Sequence, residues 1–224
     1  MDKLCYIFLY FVFYSIIGYV CEVFYVYLGD KKWVNRGFLH GPYIPIYGNG
    51  AMIVSLALMH VKKDSFIIFL VGLVLCSLLE YITSYVMEKI FHNRWWDYSE
   101  RKYNLNGRVC LQNSVLFGLG SVAIIYVFNP LFNKLYNALG FKTALYVAIV
   151  LFIIMLVDFS ISFFEAIKVS NIASHLDKCM EEFEKKKEST KRIKTRLMEA
   201  YPYLVKRNFK FLDKIKNYKK KRKN

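Results

Sequence analysis

Apolar residues in this chain gather into long runs. Five stand out: Leu4 to Leu28, a shorter one from Ile44 to Val61, Phe66 to Ile90, Val109 to Phe128, and Thr143 to Phe164. A membrane-spanning helix needs roughly 20 mostly apolar residues, because each rises 1.5 Å and the hydrocarbon layer is about 30 Å thick. The pattern predicts an all-α, polytopic membrane bundle of about five transmembrane helices. The first run is too long to be a cleaved signal peptide and is followed by no small-residue cleavage site, so it is expected to remain as a helix.

The second run opens on Arg36-Gly37-Phe38-Leu39-His40-Gly41-Pro42-Tyr43-Ile44-Pro45-Ile46-Tyr47-Gly48-Asn49-Gly50, which holds four of the chain's 11 Gly and two of its 4 Pro. Pro lacks a backbone donor and Gly favours turns, so the helix should start late here. Irregular backbone at membrane depth survives only against protein or a wet cavity. The stretch is therefore expected inside the bundle.

After Glu165 the apolar density falls and a heptad runs through Val169, Ile172, Leu176, Cys179, Phe183, Lys186, Thr190, Ile193, Leu197 and Ala200 until Pro202. Residues 1–165 thus read as the membrane bundle, with motif loops at 29–44 and 91–108. Residues 166–224 read as a helical basic tail. Its partner is another copy through residues 169–200, its own membrane body, or the lipid surface.

Composition agrees. The chain has 224 residues, is 56% hydrophobic and carries a formal charge of +15, more apolar than the roughly 45–50% of a soluble domain. Residues 1–165 hold 13 basic and 10 acidic residues, and residues 166–224 hold 19 and 7. The final Lys219-Lys220-Lys221-Arg222-Lys223 suits anionic lipid, at about 1 kcal/mol per basic residue near the inner leaflet, better than nucleic acid.

Lys and Arg concentrate in cytoplasmic loops. With five spans and the tail inside, the inner loops carry Lys31, Lys32, Arg36, Lys89, Arg94, Arg101, Lys102 and Arg108, against Lys3, Lys62, Lys63, Lys134 and Lys142 outside. This predicts an N-terminus outside and a C-terminus in the cytoplasm.

Three carboxylates lie within apolar runs: Glu22, Glu80 and Asp158. A charge at the bilayer centre costs about 2.5–3.5 kcal/mol even on the mildest scales, so such groups face the bundle interior or water. The first, third and fifth helices run the same way, which lets all three acids sit at one depth. Each shares a helical face with small or hydroxylated residues: Ser15 and Gly18 near Glu22, Ser77 and Ser84 near Glu80, and Ser162 near Asp158. The expectation is one polar pocket.

Partners come from the two inner loops, Asn35-Arg36-Gly37 in the first, and Arg94-Trp95-Trp96-Asp97-Tyr98 with Asn104-Leu105-Asn106-Gly107-Arg108 in the second. The competing reading makes the three acids structural ion-pair partners of Arg36 and Arg108. Trp95 and Trp96 suit interface anchors. His40, His60 and His92 have no helical partner among themselves, so no metal site is expected, and five mutually remote cysteines suit packing. There is no nucleotide-binding loop, hydrolase elbow or zinc-protease helix. ATP would act only through a separate subunit, and the chain itself has no cofactor.

The strings Tyr14-Ser15-Ile16-Ile17-Gly18 with Glu22, Val34 through Gly48, Leu79-Glu80-Tyr81, Arg94 through Ser99, and Asn104 through Leu111 resemble the bacterial membrane-protein family known as Putative ABC-transporter type IV, or CmpB-like. The resemblance covers about residues 6 to 165, with Gly41, Pro42, Pro45, Tyr47 and Gly48 in its first loop. It implies a permease-like subunit whose inner loops dock a cytoplasmic ATPase. The function expected is movement of an ion or small polar solute past Glu22, Glu80, Asp158, Arg36 and Arg108. The alternatives are a membrane enzyme acting on lipid or isoprenoid head groups, with Arg36, Arg94 and Arg108 binding phosphate, and a scaffold or sensor recruiting a partner through the tail.

Overall fold

The structure, a computed structural model, describes residues 2–200 except 32, 34, 36, 59–63 and 93. Arg36 and the basic run after Pro202 therefore lie outside the described residues. The chain forms two units, 1–170 and 171–224.

In the first unit, helix α1 (Asp2–Asp30) leads through an irregular segment to α2 (Pro45–Ala57) and α3 (Ser65–Phe91). A small antiparallel hairpin follows, β1 (Asn104–Leu105) and β2 (Val109–Cys110), with Asn104 opposite Cys110. Then come α4 (Leu111–Ala123), a π-helical turn (Ile124–Phe128), α5 (Asn129–Leu139) and the long α6 (Phe141–Ala200).

Among the described residues, four stretches are long and apolar enough to cross a membrane: Lys3–Leu28, Ser65–Phe91, Leu111–Leu139 and Phe141–Ile172. Ile149, Ile153, Leu156 and Phe164 of α6 stay half or more exposed, as do Leu78 and Val74 of α3. Apolar surface on that scale has no place in water and suits acyl chains. The molecule is a helical membrane bundle.

The second expected span is shorter than the run that announced it. Helix α2 starts at Pro45, where the irregular Gly/Pro stretch gives way and Pro supplies the first helical turn, but it ends at Ala57, so it has 13 residues and roughly 20 Å of rise. Its direction is still set by its contacts. Tyr47 meets Glu22 while Ser55 meets Tyr10, so α2 runs antiparallel to α1. Ser77 meets Ser114 while Ser65 meets Tyr126, so α4 runs antiparallel to α3. Ala144 and Ala148 share the core of Cys5 and Leu9, and Met155 that of Val12, so this part of α6 runs with α1.

Small residues allow the close approaches. A Cβ on Gly18 would run into the Tyr47 ring, one on Gly48 into Ser15 and Phe11, and one on Gly72 into Ser121. Tight backbone approach of this kind holds helices together where no hydrophobic force acts between them.

The fourth run extends beyond its expected end at Phe128. Pro130 lies in the first turn of α5, and the π turn before it takes up the mismatch that its missing donor creates. Asn129 at that junction accepts phenol hydrogen bonds from Tyr10 at 2.7 Å and Tyr14 at 2.6 Å, and Tyr10 also bonds Ser55 at 2.5 Å. Each of these polar groups looks isolated in the sequence, and the fold ties them into one buried knot.

Candidate functional site

At the other end of α1 the polar groups fall into three arrangements. The first surrounds Glu80, only 6% exposed on α3. The Tyr98 phenol donates to its Oε1 at 3.1 Å, while its Oε2 is buried with no hydrogen-bond partner. Tyr98 reaches inward because its own amide donates to the Gly107 carbonyl at 2.7 Å, pinning residue 98 to the hairpin turn. Burial pushes the Tyr98 phenol well above its usual range, and the nearby Glu80 and Glu22 carboxylates push it further. Tyr98 therefore bonds one acid and feels the charge of a second from a separate helix. Glu22 in turn accepts from the Tyr47 phenol at 2.7 Å. Glu22 on α1 and Glu80 on α3 thus each take one phenol hydrogen bond, from Tyr47 of α2 and from Tyr98 of the second loop.

Asp158 stands apart and serves as a clasp. Its Oδ1 accepts from the His40 amide at 3.1 Å, His40 Nδ1 at 3.2 Å and Ser162 at 3.2 Å. Its Oδ2 accepts from the Gly41 amide at 2.9 Å and the Tyr43 phenol at 2.6 Å. Burial pushes the Tyr43 phenol up, and the Asp158 hydrogen bond and charge push the same way. Both oxygens are fully engaged with the turn before α2, and none of these partners is shared with Glu22 or Glu80. His40 Nε2 also lies 3.1 Å from Glu165.

The third arrangement departs from the competing ion-pair reading at Arg108. Buried Arg108 pairs with Glu88 at 2.5 Å, not with Glu22, Glu80 or Asp158. It also donates to Ser84 at 3.2 Å and lies over the rings of Tyr81 and Tyr85. Arg94 Nε reaches the same Glu88 oxygen at 3.3 Å. Glu88 is two turns beyond Glu80 on one face of α3, so the sequence names the face but not the level at which the hairpin docks. With both guanidiniums on Glu88, the phosphate-binding role considered for them gains no support.

The rest of the second loop builds the hairpin. Asp97 accepts from the Ser99 hydroxyl at 2.5 Å and amide at 2.9 Å, which together hold its carboxyl below the usual range. Asn104 donates to the Arg101 carbonyl at 2.8 Å and accepts from the Gly107 amide at 2.9 Å. Asn106, at φ 54, donates to Tyr81 at 3.0 Å, and Gly107 has φ 69. Trp96 donates to the Arg108 carbonyl at 3.1 Å, and half-exposed Trp95 packs on Phe38 and Phe91. In the first loop Asn35 accepts from the Gly37 amide at 2.8 Å and donates to the His40 carbonyl at 3.2 Å. Gly41 leaves room for the Tyr43 ring, and exposed Pro42 keeps the turn out of helix.

No group of three or more metal-binding side chains occurs among the described residues. A groove of about 380 Å³ lined by Lys3, Tyr6, Ile7 and Tyr136 opens near the start of α1. It lies roughly 24 Å along that helix from Glu22 and plays no part in the carboxylate site.

The fold and these sites define a helical membrane protein in which the segments after α1 and α3 supply the phenols that bond Glu22, Glu80 and Asp158. Its motif loops are the strings that carried the family resemblance. The chain belongs to the family described as Putative ABC-transporter type IV, whose model matches residues 9–163. No curated protein and no solved structure matches it.

Proposed function

We propose that this chain is a permease-like subunit of the bacterial plasma membrane. It passes an ion or small polar solute between its helices at a site formed by Glu22, Tyr47, Glu80 and Tyr98. The observation that carries the reading is Glu80, a carboxyl buried within the third apolar run, with Oε1 held by Tyr98, the Asn113 side chain nearby and no hydrogen bond on Oε2. Leaving such a group unsatisfied is costly, and intramembrane acids commonly mark solute and proton pathways. A solute bringing a proton donor or positive charge satisfies that oxygen.

Asp158 and Arg108 act here as positioning residues, holding the two loops that deliver Tyr47 and Tyr98. The loop basic residues favour a cytoplasmic location for this end and for the tail, with the tail's basic terminus on anionic lipid. A separate ATPase docks on the two loops and supplies the energy, in keeping with the family's description.

The test is electrical recording from proteoliposomes holding the protein, with and without an ATPase that co-purifies with it, against a panel of alkali, alkaline-earth and organic cations. Wild type should give a solute-dependent current, reduced at least tenfold by Glu80→Gln. No current for any solute, or equal currents from wild type and Glu80→Gln, would overturn the reading.

A further inference from the structure

The second unit offers a surface independent of the carboxylate site. From Asn171 onward α6 carries a heptad in which Ile172 and Cys179 take d positions and Leu176 and Phe183 take a positions. All four are exposed, the last 67% so. The ion pairs within this helix, Glu181 with Lys185 at 2.6 Å and Glu188 with Arg192 at 3.0 Å, fall on f and c positions, on the side away from the apolar seam. The seam is left to a partner.

The flanking charges say which partner. Glu182 sits at g and Lys187 at the e position of the next heptad, and neither is in an ion pair within the helix among the described residues. In a parallel pair of identical helices the g residue of one faces the following e residue of the other, so Glu182 meets Lys187 twice. An antiparallel pair centred there sets like charges together. Lys186 at d restricts the number of strands, because in a two-stranded seam its stem carries the ammonium to water, whereas a larger bundle would enclose it.

We propose that residues 172–193 pair in parallel with the same segment of a second copy of this chain. The test is oxidation of the full-length protein in membranes with copper phenanthroline, read as disulfide-linked dimer on a non-reducing gel. Seam positions of a parallel pair bring identical residues within disulfide reach, and outer positions do not. Wild type should cross-link through Cys179, and Cys21→Ser should retain the dimer. Cys179→Ser should lose it at least tenfold. In the Cys179→Ser background, Leu176→Cys should restore the dimer and Lys178→Cys, at an outer c position, should not. Leu176→Glu with Cys179 intact should cut the yield at least tenfold. Equal cross-linking at 176 and 178, or none at both 176 and 179, would overturn the proposal; the latter with seam residues shielded by anionic vesicles would assign the face to lipid.

Discussion

Arg108 and Glu88 meet at 2.5 Å where the hairpin docks on α3, and the same guanidinium lies over two tyrosine rings. Removing the cation strands Glu88 and takes away the stacked surface, whereas removing both partners leaves no unpaired charge. Arg108→Met should lower the melting temperature in detergent by about 5 °C, in a protein where 1 kcal/mol is worth about 2–4 °C. Arg108→Met with Glu88→Gln should recover a good part of that loss. Equal loss in the single and double variants would show that the pair does not hold the hairpin.

Glu80→Gln separates stability from function. The amide keeps an acceptor for the Tyr98 phenol and takes away the acid whose Oε2 has no hydrogen bond. Thermal stability should be equal to wild type or higher while transport falls, a pattern that a purely structural acid does not produce. A drop in stability would mean that the carboxylate is held by partners that the amide cannot satisfy.

Alkaline pH should weaken the fold through Tyr98. Its phenol is held above an ordinary value near 10 in the folded state, so above about pH 10 the unfolded chain has lost a proton that the folded chain retains. Stability contributed by the neutral phenol is present below that pH and declines as pH rises. Tyr98→Phe should flatten part of this decline in a series of melting curves from pH 8 to 11. An unchanged slope would place the titration elsewhere.

The long apolar helices and the late start of α2 follow from run length and from Gly and Pro chemistry, which act locally. A shared depth for Glu22 and Glu80 is legible from their spacing on helices that run the same way, but their phenol partners are not. Tyr47 and Tyr98 stand in the motif strings, but which acid each phenol bonds depends on where α2 and the hairpin dock. The Arg108 partner depends on where a loop settles along α3, a choice between Glu80 and Glu88 that spacing leaves open. The fourth apolar run ends at Phe128 while the helix continues past Pro130, and a π turn that absorbs a proline leaves no mark in composition. The knot of Tyr10, Tyr14, Ser55 and Asn129 was hidden for the same reason, since its members come from three helices.

Gly107 should tolerate no side chain. Its φ of 69 is strained for any L residue, and a Cβ there would collide with Asp97 and Ser99. Gly107→Ala should cost about 1 kcal/mol from backbone conformation alone, and more from displacing the Asp97 turn. Because the Gly107 carbonyl holds the Tyr98 amide, the substitution should also impair transport. Asn106→Gly, at φ 54, should be nearly neutral in backbone strain. Comparing melting and flux for the two variants tests whether the turn positions Tyr98.

Asp158 distinguishes a clasp from a pathway residue. Its two oxygens gather the His40 and Gly41 amides and the Tyr43 phenol, so the carboxylate holds the turn that leads into α2. Asp158→Ala leaves those two amides without their acceptor, and hydrogen exchange at His40 and Gly41 should quicken by at least tenfold, while amides in the middle of α3 stay protected. Asp158→Asn keeps one carbonyl oxygen and should fall between. Tyr43→Phe removes a single bond to Oδ2 and should loosen the turn less than Asp158→Ala. If Asp158→Ala instead abolished transport with the exchange of His40 and Gly41 unchanged, the acid would belong with Glu22 and Glu80 on the solute's route, and the assignment of the turn to its grip would be wrong.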